Sequence, residues 1–123
     1  ILVHNNQIVG RGHNQRVQKG NPLLHGEMDA LQNVGRQDAR FYRECIIYTT
    51  LSPCIMCSGT IVHYKIPLVI IGENETTEDT TQCENFLLGN NIELINLNLE
   101  QCKLMMRDFI QYNEELWFED ISI

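Results

Sequence analysis

Residues 45–72 read "CIIYTTLSPCIMCSGTIVHYKIPLVIIG", and this stretch decides the fold class. "CIIYTTL" is a short apolar run rich in β-branched residues, the pattern of a buried strand. Ser52-Pro53 then marks a strand-to-helix turn, with proline at or near the first helical position. From Cys54 to about Tyr64 the spacing is helical, with Ile55, Gly59 and Val62 on related faces. "PLVIIG" returns to a buried strand. A strand, a helix of about ten residues and a second strand form a βαβ unit, which needs a parallel sheet with helices packed on it.

The flanking sequence extends this unit. "ILVHNNQIVGRG" holds two apolar runs around Asn5-Asn6, a plausible tight turn in a hairpin. "HNQRVQKGNPLL" is polar with Gly and Pro and reads as a loop. "HGEMDALQNVGR" carries Met28, Leu31 and Val34 at helical spacing, with Glu27 in the first turn and Gly35 suited to its end. Further on come a polar helix over residues 78–89, the strand "IELINL", the amphipathic helix "LEQCKLMMRDFIQY" and the tail "NEELWFEDISI". The expectation is a three-layer α/β/α sandwich. Its sheet has five strands and is mixed, mainly parallel after the opening hairpin, and residues 1–123 form a single domain.

Composition narrows the function. Hydrophobic residues make up 43% and charged residues 20% of the 123, the balance of a globular domain. No apolar run approaches the roughly 20 residues of a membrane-spanning helix, so no membrane partner is expected. A net charge of −7 with 9 scattered basic residues argues against a nucleic-acid-binding face, which needs clustered Lys and Arg. The cysteines, Cys45, Cys54, Cys57, Cys83 and Cys102, are odd in number and no secretory pattern accompanies them. They read as reduced thiols of a cytoplasmic protein, with the nucleus as a second compartment. Cys45, Cys83 and Cys102 read as small buried hydrophobes. The chain also starts in mid-strand without Met, which predicts that an N-terminal segment is absent from it.

Cys54 and Cys57 pose the chemical question. Two thiols spaced C-x-x-C fit a redox pair, half of a structural zinc knot, or half of a catalytic metal site. Three residues apart in a first helical turn, both sulfurs face the same way, and the helix start favours thiolate. Upstream, His25-Gly26-Glu27 form H-x-E, and Pro53 through Cys57 form P-C-x-x-C; together these are the signature of zinc-dependent deaminases. His25, Cys54 and Cys57 would hold zinc and leave a fourth position for water. That water's pKa falls toward about 7, which makes hydroxide available at neutral pH. Glu27 would stand beside the metal as a proton shuttle, not a ligand. A structural site would want a fourth ligand; His4, His13 and His63 are available, but none sits in a second pair. A redox pair would need neither His25 nor Glu27.

The chain closely resembles the fungal-type cytosine deaminases, in the cytidine deaminase-like superfamily. The resemblance rests on "GRGHNQRVQKG", "LHGE", "YTTLSPCIMCSG", "IP" followed by "VIIGEN", "CKLMMRDFI" and "WFEDI". It implies hydrolytic deamination of cytosine to uracil and ammonia in pyrimidine salvage, by zinc-bound hydroxide attacking C4. It implies one zinc per chain on His25, Cys54 and Cys57, with Glu27 as shuttle. Asn14 corresponds to an asparagine on the polar edge of the pyrimidine, and the Gly26 N–H to a donor to the ring carbonyl. Leu51 and Ser52 would present backbone carbonyls to the amine, Asp120 a carboxylate near it, and Trp117 an aromatic lid. The family forms homodimers. Two departures stand out: the family's N-terminal helix and first half-strand have no counterpart, and Thr77 stands where the family carries a stacking aromatic. Residue chemistry alone leaves Asn14 open to a loop-capping role and Trp117 to core packing. Three other functions stay in view: deamination of another base or nucleoside (guanine, cytidine), tRNA adenosine deamination, and an inactive zinc-binding dimeric scaffold.

Overall fold

The computed structural model describes residues 1–78 and 80–123. Five strands form one sheet in the order β2-β1-β3-β4-β5. The opening hairpin joins β1 (Leu2–His4) to β2 (Gln7–Gly10), and β1 pairs antiparallel with both β2 and β3. Its turn places Asn5 and Asn6 at φ of 50° and 60°, the left-handed pair of a hairpin turn that asparagine tolerates well. β3 (Cys45–Leu51), β4 (Leu68–Glu73) and β5 (Glu93–Asn96) run parallel to one another. The expected βαβ unit is present, with α4 (Ile55–Tyr64) crossing between β3 and β4.

The parallel register sorts the faces. Ile47 stands opposite Val69, and Thr49 opposite Ile71, so these four side chains share one face. Cys45, Ile47, Val69 and Ile71 are buried there with Ile61 of α4, Leu87 of α5 (Thr80–Gly89) and Ile92. Leu31 and Val34 of α2 (Gly26–Val34) close the same core. The other face is covered by α6 (Glu100–Tyr112), whose Cys102 comes so near Gly72 that a Cβ there would stand 2.6 Å from its sulfur. This second layer is thin: Tyr48 on that face is left 36% exposed.

Three helices were not anticipated. α1 (Arg16–Lys19) lies in the segment expected to be loop, α3 (Ala39–Arg43) precedes β3, and α7 (Glu114–Asp120) forms from the tail. α1 and α3 are too short to show a hydrophobic period. Local bonds support α3: Asp38 caps it by accepting from Phe41 N at 2.8 Å, and the Tyr42 hydroxyl donates to Gly35 O at 2.9 Å. The polar helix expected over 78–89 is α5, and Asp79 of that stretch lies outside the described residues. Among the described residues no helix is long and apolar enough to cross a membrane.

Candidate metal centre

The site forms at the carboxyl ends of the parallel strands, where β3 gives way to α4 and the start of α2 faces it, the usual place for sites in α/β sheets. His25 and Cys54 are both extended residues that immediately precede helices, α2 and α4. Cys57 sits in the first turn of α4 and is fully buried. Each helix start contributes unpaired N–H groups and the positive end of its dipole. Glycine lets the neighbouring loop reach the site. A Cβ on Gly12 would stand 2.3 Å from Ala30 N and 2.6 Å from Gly26 O, so only glycine permits residues 11–14 to lie directly on α2.

The candidate ligand atoms of His25, Cys54 and Cys57 lie within 4.8 Å of one another. His25 Nδ1 is 3.5 Å from Cys54 Sγ, close to the roughly 3.5–3.8 Å edge of a tetrahedron built from ordinary zinc–nitrogen and zinc–sulfur bonds. One imidazole and two thiols are also the donor set that selects zinc among the common divalent metals. The residues therefore fit zinc as a three-ligand site. His4 instead pairs with Glu44 at 3.0 Å and stacks on Phe41. His13 contacts Asn14 O and the Gln15 side chain, and His63 lies against Tyr64. Among the described residues no fourth ligand joins the three.

The three groups perturb one another strongly. The Cys57 S–H donating to Cys54 is the main reason the Cys54 thiol is lowered to about 4; burial opposes this and His25 adds to it. Cys57 is pushed far up by keeping that proton, and further by burial and the nearby Glu27 charge. His25 is raised to about 10, first by Asp120 and then by Cys54, against burial. Asp120 lies 2.8 Å from His25 Nε2. Burial alone would raise Asp120, yet His25, Arg16 and Asn14 together hold it below the usual carboxylate range.

The structure thus gives Asp120 a position that spacing could not reveal: behind the metal-facing imidazole, on the nitrogen that does not face Cys54. Asp120 and His25 form an ion pair at 2.8 Å, and carboxylates placed behind metal-ligating imidazoles in this way help to orient them. Asn14 Nδ2 donates to Asp120 at 3.1 Å, and its Oδ1 accepts from Arg16 N at 3.0 Å. Asn14 thus caps the loop through its side-chain oxygen and reaches Asp120 through its amide nitrogen. Trp117 is buried at 8% exposure, three residues before Asp120 on α7. Ser52 is buried and its hydroxyl donates to Glu84 at 2.9 Å. Leu51 and Gly26 are half-buried, and the Gly26 N–H is among the first-turn donors that α2 leaves unpaired. Thr77, in the bend after β4, is half-buried.

Several residues at the site carried no sequence signal. The Thr49 hydroxyl hydrogen-bonds Glu27 Oε1 and lies 3.0 Å from Leu51 O. The Arg16 side chain, 10% exposed, pairs with Glu119 at 2.8 Å and Asp120 at 3.4 Å, tying α7 to the Asn14 loop. Glu84 accepts from both Ser52 and Asn74. The fully buried Glu73 accepts from Glu75 N at 2.7 Å and Thr76 N at 3.0 Å, fixing the bend beyond β4.

A mixed sheet closed by an H-x-E helix start and a P-C-x-x-C helix start defines a class, and comparison with known sequences agrees. The chain belongs to the family of the cytidine and deoxycytidylate deaminase zinc-binding region, whose profile matches residues 1–73. Within that family, the cytosine deaminase of Candida albicans is 43% identical over 122 residues, which cover 99% of this chain and 79% of that protein. This bears out the resemblance read from the motifs. A tRNA-specific adenosine deaminase of Buchnera aphidicola is 31% identical, covering 94% of this chain and 76% of that protein. A solved structure from work on A-to-I editing by tRNA:A34 deaminases superimposes with a TM-score of 0.68 at 15% identity, over 86% of this chain and 81% of that one. At that identity the likeness speaks for the fold.

Proposed function

We propose that the protein catalyses zinc-dependent hydrolytic deamination of cytosine to uracil and ammonia, with His25, Cys54 and Cys57 as the metal ligands and Glu27 as the proton shuttle. One observation carries the reading: Glu27, in the first turn of α2 and hydrogen-bonded by the Thr49 hydroxyl of β3, stands at the three-ligand cluster without being a member of it. A structural site has no use for such a carboxylate. The 43% identity to a cytosine deaminase across nearly the whole chain supports cytosine over other bases.

Zinc, when bound, supplies an acidified water as nucleophile at neutral pH. The chain's own residues do the rest. Glu27 takes one proton from the nucleophile and gives it to the ring nitrogen, then takes the second from the oxygen now bonded to C4 and gives it to the amine as the C–N bond breaks. The Gly26 N–H donates to the ring carbonyl, helped by the α2 dipole. Asn14, whose amide offers both donor and acceptor, meets the polar edge of the ring. The carbonyls of Leu51 and Ser52 receive the amine, and Trp117 covers the ring face. Asp120 holds His25 in the tautomer that presents Nδ1 to the metal, within reach of the amine.

The same reading places the enzyme in pyrimidine salvage in the cytoplasm, as a single domain that acts on a free base and not on nucleic acid. The net charge of −7 supports the last point, since a polyanion would be repelled. The homodimer is carried over from the resemblance read in the motifs.

The test is ammonia release by the zinc-loaded protein offered cytosine, cytidine, guanine and a tRNA anticodon stem in parallel. Cytosine alone is expected to react. Glu27→Gln is expected to keep one zinc per chain and lose about 10²–10⁴-fold in kcat, the usual contribution of acid–base catalysis. Silence of the parent on all four substrates, with zinc bound, would favour the inactive scaffold instead.

A further inference from the structure

Thr49 sits near the end of β3, on the sheet face that carries Cys45 and Ile47, directly beneath Glu27. Its hydroxyl has two neighbours: Glu27 Oε1 and, at 3.0 Å, the carbonyl oxygen of Leu51. A hydroxyl has one hydrogen to give and two lone pairs to receive. Thr49 Oγ1 is thereby held between the Glu27 carboxyl group and the backbone of β3. An alkyl group in the same place would make neither contact. The branched side chain adds a χ1 preference fixed by the strand.

We infer that Thr49 is a positioning residue for Glu27: its hydroxyl, set between Glu27 and the Leu51 carbonyl, keeps the Glu27 side chain in one rotamer beside the ligand cluster. The inference rests on the reading of Glu27 as the shuttle. It adds that the shuttle's alignment is built into β3.

The experiment compares Thr49→Val, which keeps the shape and removes the hydroxyl, with Thr49→Ser, which keeps the hydroxyl. Four quantities are read: kcat and KM for cytosine, zinc per chain, thermal midpoint, and the ¹³C carboxyl resonance of Glu27 in the zinc-loaded protein. Thr49→Val is expected to lower kcat about 30-fold, part of what acid–base catalysis contributes, with KM within about twofold because ground-state binding is untouched. Its zinc content and midpoint stay near the parent's, while the Glu27 resonance broadens as rotamers mix. Thr49→Ser is expected to restore kcat to within about threefold and to sharpen the resonance. A Thr49→Val enzyme with parental kcat and a parental Glu27 resonance would overturn the inference. So would a Ser variant no better than Val. Failure of the parent itself to deaminate cytosine would instead defeat the reading of the reaction, and the Glu27 resonance would then still decide whether Thr49 orders the carboxylate.

Discussion

Replacing Asp120 with alanine separates the structure's account of this residue from the simpler one in which it only touches substrate. Three contacts are lost at once: His25 Nε2 at 2.8 Å, Arg16 at 3.4 Å and Asn14 Nδ2 at 3.1 Å. Without the carboxylate, the imidazole loses what fixes its ring orientation and keeps its hydrogen on Nε2. Removal of such a partner costs about 10- to 100-fold in metal affinity, or about 1.4–2.8 kcal/mol. With only 14% of the Asp120 side chain exposed, water replaces it poorly, so the upper half of that range is expected, about 30- to 100-fold. The assay is competition for zinc against a chromophoric chelator at pH 7.5, with Glu119→Ala as control. Glu119 shares Arg16 but is 66% exposed and has no contact with His25, so its loss is expected to leave zinc affinity unchanged. An Asp120→Ala protein that holds zinc within twofold of the parent would refute the orienting role and return Asp120 to substrate contact alone.

Other consequences follow from the same geometry. In the metal-free cluster at pH 7, His25 (raised to about 10) is protonated, Cys54 (lowered to about 4) is thiolate and Cys57 (raised) is thiol. Zinc needs a neutral imidazole and thiolates, so uptake is expected to release about two protons, from His25 and Cys57, and acid favours metal loss. Calorimetric titrations in buffers of different ionisation enthalpy read that number, and zero release would contradict the charge states. Gly12→Ala puts a methyl 2.3 Å from Ala30 N, and the loop must lift from α2 at a cost of about 1–3 kcal/mol, measured by urea unfolding. Because that loop carries Asn14, KM for cytosine is expected to rise as well. Glu84→Ala strands the buried Ser52 hydroxyl and the Asn74 amide, costing about 1–3 kcal/mol in the same unfolding experiment; an unchanged midpoint would show that water satisfies both.

The correspondence between sequence and structure varies with the kind of signal. Period and turn chemistry located β3, α4, β4 and the hairpin closely, because each buries a continuous face or needs the left-handed turn that Asn5 and Asn6 supply. α3 went unseen because five residues show no period and its stability comes from the Asp38 cap and the Tyr42–Gly35 bond. The polar segment before residue 25 hides α1 for the same reason, since that helix is four residues long.

The metal chemistry is legible in local patterns: His25, Cys54 and Cys57, with Glu27 two residues from the histidine, stand at two helix starts, and helix geometry converts such spacing directly into direction. What stands behind them depends on packing. Asp120 reaches His25 from the opposite end of the chain, Arg16 ties α7 to the Asn14 loop, and Thr49 meets Glu27 across a strand–helix contact. Such partners are set by which faces the sheet buries together. A threonine in a strand or an aspartate in a terminal helix has no sequence spacing that announces its neighbour, so the residues that orient the site became legible only once the layers were packed.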